Sequence, residues 1–154
     1  LSWTIVILAV VVLIYSFIMN NTTLGRHIYG VGGNAEAAEL SGVSVKKITL
    51  IVYASMGLLA ALAGILFTSR LASATPTAGA GFELDAIASA YIGGVSANGG
   101  IGKVTGSIVG ALVMASLASG MNLIGIGISY QYIIKGLILV LAVIFDIITR
   151  KKAQ

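Results

Sequence analysis

Long apolar runs alternate with short polar stretches along this chain. Spanning a bilayer takes roughly 20 apolar residues in a helix. Four of the five apolar runs approach that length, and the third is short and interrupted by Gly93 and Gly94. The runs cover residues 3–19, 48–69, 86–97, 104–124 and 130–149. The dyad alternation that membrane β-barrels require does not occur in the sequence. The pattern therefore predicts an all-α, polytopic transmembrane helix bundle forming one domain over residues 1–154, surrounded by membrane lipid.

The polar stretch between the first two runs, residues 20–47, has a pattern of its own. Asn34 is a good residue for starting a helix, and Glu36 would lie in the first turn, where a carboxylate is favourable. Gly42 supplies a stop signal, and Gly32 and Gly33 predict a tight, mobile turn just before the helix. We expect a short, alanine-rich helix at the membrane surface, of a kind that docks into a groove on a soluble partner.

Composition agrees with lipid as the solvent. The chain has 154 residues, of which 58% are hydrophobic and only 9% are charged, whereas soluble domains carry about 25% charged residues. The net charge of +4 is explained by retention of basic residues on one side of a bilayer, so no nucleic acid partner is predicted. The absence of cysteine excludes disulfides and thiolate chemistry.

The basic residues predict the orientation. With the first helix running inward, two basic residues, Arg70 and Lys135, fall at or near the outer face. The other seven fall on the inner side, and they are Arg26, Lys46, Lys47, Lys103, Arg150, Lys151 and Lys152. This count requires the short third run to cross the bilayer; a re-entrant hairpin there would invert the last two helices. We favour the crossing, which places residues 20–47 and the C-terminus in the cytoplasm.

A few charges lie within or beside the apolar runs. Lys135 has a stem long enough to extend its amine to the outer interface, although a functional intramembrane charge is an alternative. Asp146 and Arg150 are spaced to pair along one helix face. Glu83 and Asp85 suit the start of the third helix, and they could alternatively face a substrate-delivering protein.

Several short motifs resemble those of one protein family. The order Gly25-Arg26, Tyr29, Gly32-Gly33-Asn34, Ala37-Ala38 and Ser41-Gly42 resembles the cytoplasmic coupling loop in permease subunits of bacterial ribose/xylose-type sugar ABC importers. Residues 78–88, 92–102 and 130–136 are similar to further stretches of the same family. Two residues depart from the family pattern: a basic residue is expected at Glu39, and alanine is commoner at Gly30. The resemblance implies the C-terminal half of a longer permease.

The resemblance also implies partners and a coupling site. Expected partners are a separate ATPase subunit, a periplasmic sugar-binding protein and a second copy of the full-length permease, all at the bacterial inner membrane. The residues it assigns to the ATPase-coupling loop are Gly25, Arg26, Gly32, Gly33, Asn34, Glu36, Ala37, Ala38, Ser41 and Gly42.

Five further glycines admit two interpretations. Gly102, Gly106 and Gly110 form two small-xxx-small steps, which favour close packing of helices within the chain. Gly93 and Gly94 predict a broken helix, and such breaks often line a transport route. All five are therefore candidates either for helix packing or for the translocation pathway.

The sequence excludes several function classes. It lacks the phosphate-binding pattern GxxxxGK followed by Ser or Thr, and His27 is its one histidine. We therefore predict no catalytic, cofactor or metal site, and we expect ATP hydrolysis to reside on a partner. Alternatives within transport are ABC permeases for branched-chain amino acids or nucleosides. An ion-coupled carrier would need buried acidic residues, which this sequence provides sparsely.

Overall fold

The computed structural model describes residues 3–152, which contain seven α-helices and no β-strand. Leu1, Ser2, Ala153 and Gln154 belong to the predicted domain and lie outside the described residues. The predicted all-α class is confirmed. The helices are α1 (Trp3–Asn21), α2 (Thr23–Gly33), α3 (Ala35–Leu40), α4 (Val45–Leu71), α5 (Phe82–Ile92), α6 (Val104–Ile124) and α7 (Ile128–Lys152).

Four of these helices, α1, α4, α6 and α7, are long and apolar enough to cross a membrane. They have 19, 27, 21 and 25 residues. Their large apolar side chains point outward: Leu13 is 70% exposed, Leu58 70% and Phe145 73%. Such surfaces are unfavourable in water and favourable in lipid, so the chain is a multi-pass membrane protein.

The short α5 occupies part of the third apolar run. It begins at Phe82, earlier than the predicted residue 86, and ends at Ile92. Glu83 and Asp85 lie in its first turn, where the positive end of the helix dipole stabilises their carboxylates. Gly93 forms its C-cap, and Gly94 has a φ of 99° that few other residues adopt, so the helix stops there. Its 11 residues extend about 16 Å.

The chain divides into two compact units, one ending at Ala80 and the other beginning at Gly81. In the first unit, the hydroxyls of Tyr15 on α1 and Ser55 on α4 hydrogen-bond to each other. The short α2 packs against both α1 and α4. At Gly25 a side chain would collide with the carbonyl of Met19, so glycine allows α2 to fold back tightly against the end of α1.

In the second unit, α5 lies parallel to α7. Its first turn contacts α7 through Asp85 and Lys135, and the residues that follow it contact α7 at Asp146 and Arg150. The segment from Asp85 to Ala97 therefore runs along α7 from Lys135, in the first half of that helix, to Asp146, in its second half. We refer to these as the Asp85 end and the Asp146 end of the second unit.

Glycines let α6 pack against α5 in the opposite direction. A Cβ atom on Gly106 would collide with the carbonyl of Gly93, and one on Gly110 with the carbonyl of Ser89. Three of the five glycine candidates thus make the predicted close packing between helices. Gly102, the first glycine of the predicted small-xxx-small steps, lies outside this contact, because α6 begins only at Val104. Gly102 instead lies near the side chain of Val95.

We predict that Gly106→Ala destabilises the protein by about 1–3 kcal/mol, the usual cost of inserting a methyl group into a closely packed contact. Gly120→Ala is the matched control on the same helix, because nothing lies within 4 Å of the Cβ position there. The control should be neutral or slightly stabilising. SDS titration of the purified protein in mixed micelles measures both, and equal stabilities of the two variants would contradict the packing assignment.

Candidate functional site

The short helix α3 is fixed at its start by Asn34. The side-chain Oδ1 of Asn34 accepts a hydrogen bond from the backbone N–H of Ala37 at 3.1 Å. Glu36 lies in the first turn, as predicted from the sequence. One of the free N–H groups at the helix start is thereby satisfied, and the carboxylate adds a favourable dipole interaction.

The other end of α3 is fixed by Gly42. Its φ of 95° is the left-handed conformation predicted for the stop signal. The N–H of Val43 donates to the Ala38 carbonyl at 3.0 Å, and the N–H of Gly42 donates to the Glu39 carbonyl at 3.1 Å. The Ser41 hydroxyl also donates to the Ala37 carbonyl at 2.9 Å. With both ends capped, this six-residue helix is a defined structural element.

The predicted turn at Gly32 and Gly33 is wrong. Helix α2 continues through Gly33, and the N–H of Asn34 still makes a helical bond to the Gly30 carbonyl at 3.0 Å. The corner falls at Asn34, whose extended conformation (φ −158°, ψ 101°) ends α2 and starts α3. Asn34 suits this position because its side chain caps the start of α3 and its N–H makes the last hydrogen bond of α2.

Burial separates the candidate coupling residues into two groups. Gly25 and Ala38 are buried, and they shape the corner with α1 and the inner face of α3. Gly32 is half-buried. The remaining candidates are exposed, and they are Arg26, Gly33, Asn34, Glu36, Ala37, Ser41 and Gly42. The exposed group forms a nearly continuous surface along the α2–α3 corner.

Leu40 was not among the candidate coupling residues. It is the last residue of α3 and is 90% exposed. It lies outside the four helices that are able to cross a membrane. The sequence signal is a lone large apolar residue in a short helix of alanine and glutamate. Leu40 is the one large apolar side chain of α3, and it adds an apolar group to the exposed surface of the corner.

At the Asp146 end of the second unit, an ion pair holds the turn that follows α5. Arg150 Nε lies 2.6 Å from Asp146 Oδ1, which confirms the pairing predicted along α7. The second carboxylate oxygen accepts a hydrogen bond from the N–H of Ala97 at 3.0 Å. Arg150 Nη2 also donates to the Gly94 carbonyl at 2.9 Å. The pair therefore joins the end of α7 to the broken segment after α5.

The structure shows a different environment for Lys135 from the one predicted. Its amine lies 3.2 Å from Asp85 Oδ2, and its side chain is only 12% exposed. Lys135 is thus paired across two helices and does not extend alone toward the interface. The sequence could not show this pairing, because the two residues are 50 positions apart.

Within residues 3–152, no three His, Asp or Glu side chains come together as a possible metal site. Of the glycine candidates, Gly94 follows the C-cap of α5, and Gly93, Gly106 and Gly110 lie in the contact of α5 with α6. The site with the most exposed candidate residues is therefore the α2–α3 corner.

Comparison with known proteins gives a consistent result. Residues 1–143 match a family model described as branched-chain amino acid transport system / permease component. The chain is 49% identical over 140 residues to the ribose import permease protein RbsC of Escherichia coli, covering 91% of this chain and 44% of that protein. It is 45% identical over 152 residues to the xylose transport system permease protein XylH of Haemophilus influenzae, covering 99% of this chain and 40% of that protein.

A third relative, the ribose import permease protein RbsC of Bacillus subtilis, is 44% identical over 136 residues, which cover 88% of this chain and 41% of that protein. The chain thus spans less than half the length of the relatives it matches. No solved structure matches it significantly.

Proposed function

Because the chain belongs to the family of branched-chain amino acid transport system permease components, we propose that it works as part of an ATP-driven importer for a monosaccharide of the ribose or xylose type. The identity of 44–49% to ribose and xylose permeases, over 88–99% of the chain, supports this solute class above the others. In this proposal the chain is the C-terminal half of a permease, and a separate ATPase subunit supplies the energy.

Two alternatives receive less support. The family description names branched-chain amino acids, and nucleosides are a further alternative, but the similar proteins quoted above transport ribose and xylose by name. An ion-coupled carrier needs an acidic group that takes up and releases a cation. Asp85 and Asp146 are each engaged by a basic partner, Lys135 and Arg150, which disfavours that role.

The proposed orientation places the α2–α3 corner and the C-terminus in the cytoplasm. The positive-inside distribution of basic residues supports it. So does the parallel course of α5 and α7, because a re-entrant hairpin would turn back toward its starting side, whereas this segment follows α7 from Lys135 to Asp146. Lys103, which precedes α6, and Arg150 then fall on the same side of the membrane.

The mechanism follows from the rigidity of α3. An ATPase subunit that binds the exposed corner would move α3 when its nucleotide sites close. Because α3 is capped at both ends and packs on α4, it transmits this displacement and does not unwind. The corner is also joined to α1 through the close contact at Gly25. The membrane helices would then exchange between two arrangements whose populations nucleotide sets.

The same proposal includes two further partners. A second copy of the full-length permease would complete the pathway, and a periplasmic sugar-binding protein would deliver the solute. A neutral sugar needs no fixed charge along its route, and Asp85 and Asp146 of the second unit are each paired with a basic side chain.

Orientation can be tested with a single introduced thiol, because the described chain contains no cysteine. Glu36 is exposed on α3. Glu36→Cys in the full-length permease, cleared of any other cysteine, should react with a membrane-impermeant maleimide in inverted vesicles and not in intact spheroplasts. Reaction in spheroplasts would overturn the proposed orientation.

Coupling can be tested at Gly33, where nothing lies within 4 Å of the Cβ position. We predict that Gly33→Glu inserts normally but adds a charge to the surface that meets the ATPase. Sugar uptake per ATP hydrolysed in proteoliposomes should fall severalfold. Gly33→Ala is the control and should transport normally. Normal uptake by the Glu variant would remove the corner from the coupling mechanism.

Leu40 tests the contact with the ATPase directly. Burying a leucine side chain is worth about 1.5–3 kcal/mol, so Leu40→Ala should weaken ATPase binding about tenfold or more. The control Leu13→Ala removes the same side chain from the exposed surface of α1. Binding of the purified ATPase to the permease in nanodiscs measures both variants. Equal affinities for the two variants would show that Leu40 is not part of the interface.

A further inference from the structure

The two ends of α5 are held by different kinds of contact. At the Asp146 end the contacts involve backbone atoms. The Ala97 N–H donates to Asp146, the Gly94 carbonyl accepts from Arg150, and the Gly93 backbone touches that of Gly106 on α6. The contact of Gly93 with Gly106 joins backbone to backbone, and no change of side-chain rotamer relieves it. Movement at this end therefore requires α6 to move as well.

At the Asp85 end the contacts involve side chains. The Lys135 amine pairs with the Asp85 carboxylate at 3.2 Å. The Tyr132 ring packs against Gly81, with Cε1 2.6 Å from the position a Cβ atom would take. Side chains change rotamer without displacing their helices. The Asp85 end of α5 can therefore separate from α7 while the other end stays in place.

The ion pair at this end is incompletely satisfied. Asp85 Oδ2 pairs with Lys135, but Asp85 Oδ1 is buried and has no hydrogen-bond partner within the described residues. A buried carboxylate oxygen without a partner costs free energy, which is recovered when water reaches it. Separation of α5 from α7 would hydrate both oxygens. The closed arrangement is thus stabilised by one charge pair and destabilised by one unpaired oxygen.

A position at which α5 can bend lies between its two ends. The Ser89 hydroxyl donates to the Asp85 carbonyl at 2.6 Å, one turn back along the helix. Such bonds are a common cause of helix bending. The backbone of Ser89 also lies against Gly110 on α6, so the anchored part of α5 begins here.

We propose that the Asp85–Lys135 ion pair is a latch, and that the Asp85 end of α5 moves away from α7 during each transport cycle while the segment from Ser89 to Ala97 serves as the pivot. This inference rests on the proposed function. In the proposed orientation the latch faces the periplasm, from which the solute arrives. Asp85 and Lys135 are positioning residues: they hold α5 and do not contact the sugar.

The first test compares two thiols on either side of the pivot. Glu83 and Asn98 are both exposed, Glu83 in the first turn of α5 and Asn98 in the anchored turn. Each is replaced by Cys in the full-length permease, freed of other cysteines, assembled with its ATPase in nanodiscs. The maleimide labelling rate of Glu83→Cys should change about fivefold or more between the nucleotide-free and ATP-trapped states, the lower range for a coupled two-state change. The rate of Asn98→Cys should stay constant.

A rate at Glu83→Cys that does not depend on nucleotide would overturn the latch. Equal changes at both positions would overturn the pivot, because α5 would then move as a whole. This measurement leaves Asp85 and Lys135 in place. It therefore decides the question without relying on a variant of the ion pair that inserts correctly.

The second test removes both charges with Asp85→Asn and Lys135→Met together, since removing only one would leave the other buried and unpaired. We expect ATP hydrolysis in the absence of sugar to rise about fivefold, and sugar transported per ATP to fall by a similar factor. A purely structural ion pair would alter stability and leave the ratio of sugar to ATP unchanged. An unchanged ratio would thus reject the latch.

The two proposals can fail separately. ATPase binding and sugar uptake by Glu83→Cys and Asn98→Cys are measured in the same preparation as the labelling. If the unsubstituted permease does not bind the ATPase, the proposed function is rejected. Normal sugar uptake, together with a labelling rate at Glu83→Cys that is the same with and without nucleotide, would reject the latch alone.

Discussion

The absence of water from the bilayer interior is the constraint on which the rest of this structure depends. Every buried backbone N–H and carbonyl must find a partner within the protein, so the chain forms helices wherever lipid surrounds it. Side-chain charges obey the same constraint. Asp85 and Asp146 are each joined to a basic side chain. After α5 ends, Asp146 accepts a hydrogen bond from the N–H of Ala97, and Arg150 donates one to the carbonyl of Gly94.

Small residues have two distinct uses in this protein. Where helices cross, Gly106 and Gly110 let α6 approach the backbone of α5 so closely that a methyl group would collide. Where helices end, Gly42 and Gly94 adopt left-handed conformations and turn the chain. The first use holds the end of α5 against α6, and the second turns the chain at the exposed corner and after α5.

The proposed transport mechanism needs parts that resist deformation and parts that yield. The corner at α3 is stiff, since Asn34 and Gly42 cap its two ends. The contact of α5 with α6 is stiff as well, because backbone touches backbone there. The Asp85 end of α5 is held through side chains and includes an unsatisfied carboxylate oxygen. Transport by alternating access requires such a difference in stiffness within one helix bundle.

The sequence alone determined the all-α membrane class, the short helix after Asn34 and the pairing of Asp146 with Arg150, because hydrophobic run length, capping and i,i+4 spacing are local properties. The corner at Asn34 was misassigned to Gly32 and Gly33, since a glycine permits a turn without requiring one. Only the tertiary structure decided that Lys135 pairs with Asp85, that Gly106 meets Gly93 and that Leu40 is exposed. The two contacts join residues on different helices, and the exposure of Leu40 depends on which elements pack around α3. No periodicity within one segment encodes which segments become neighbours.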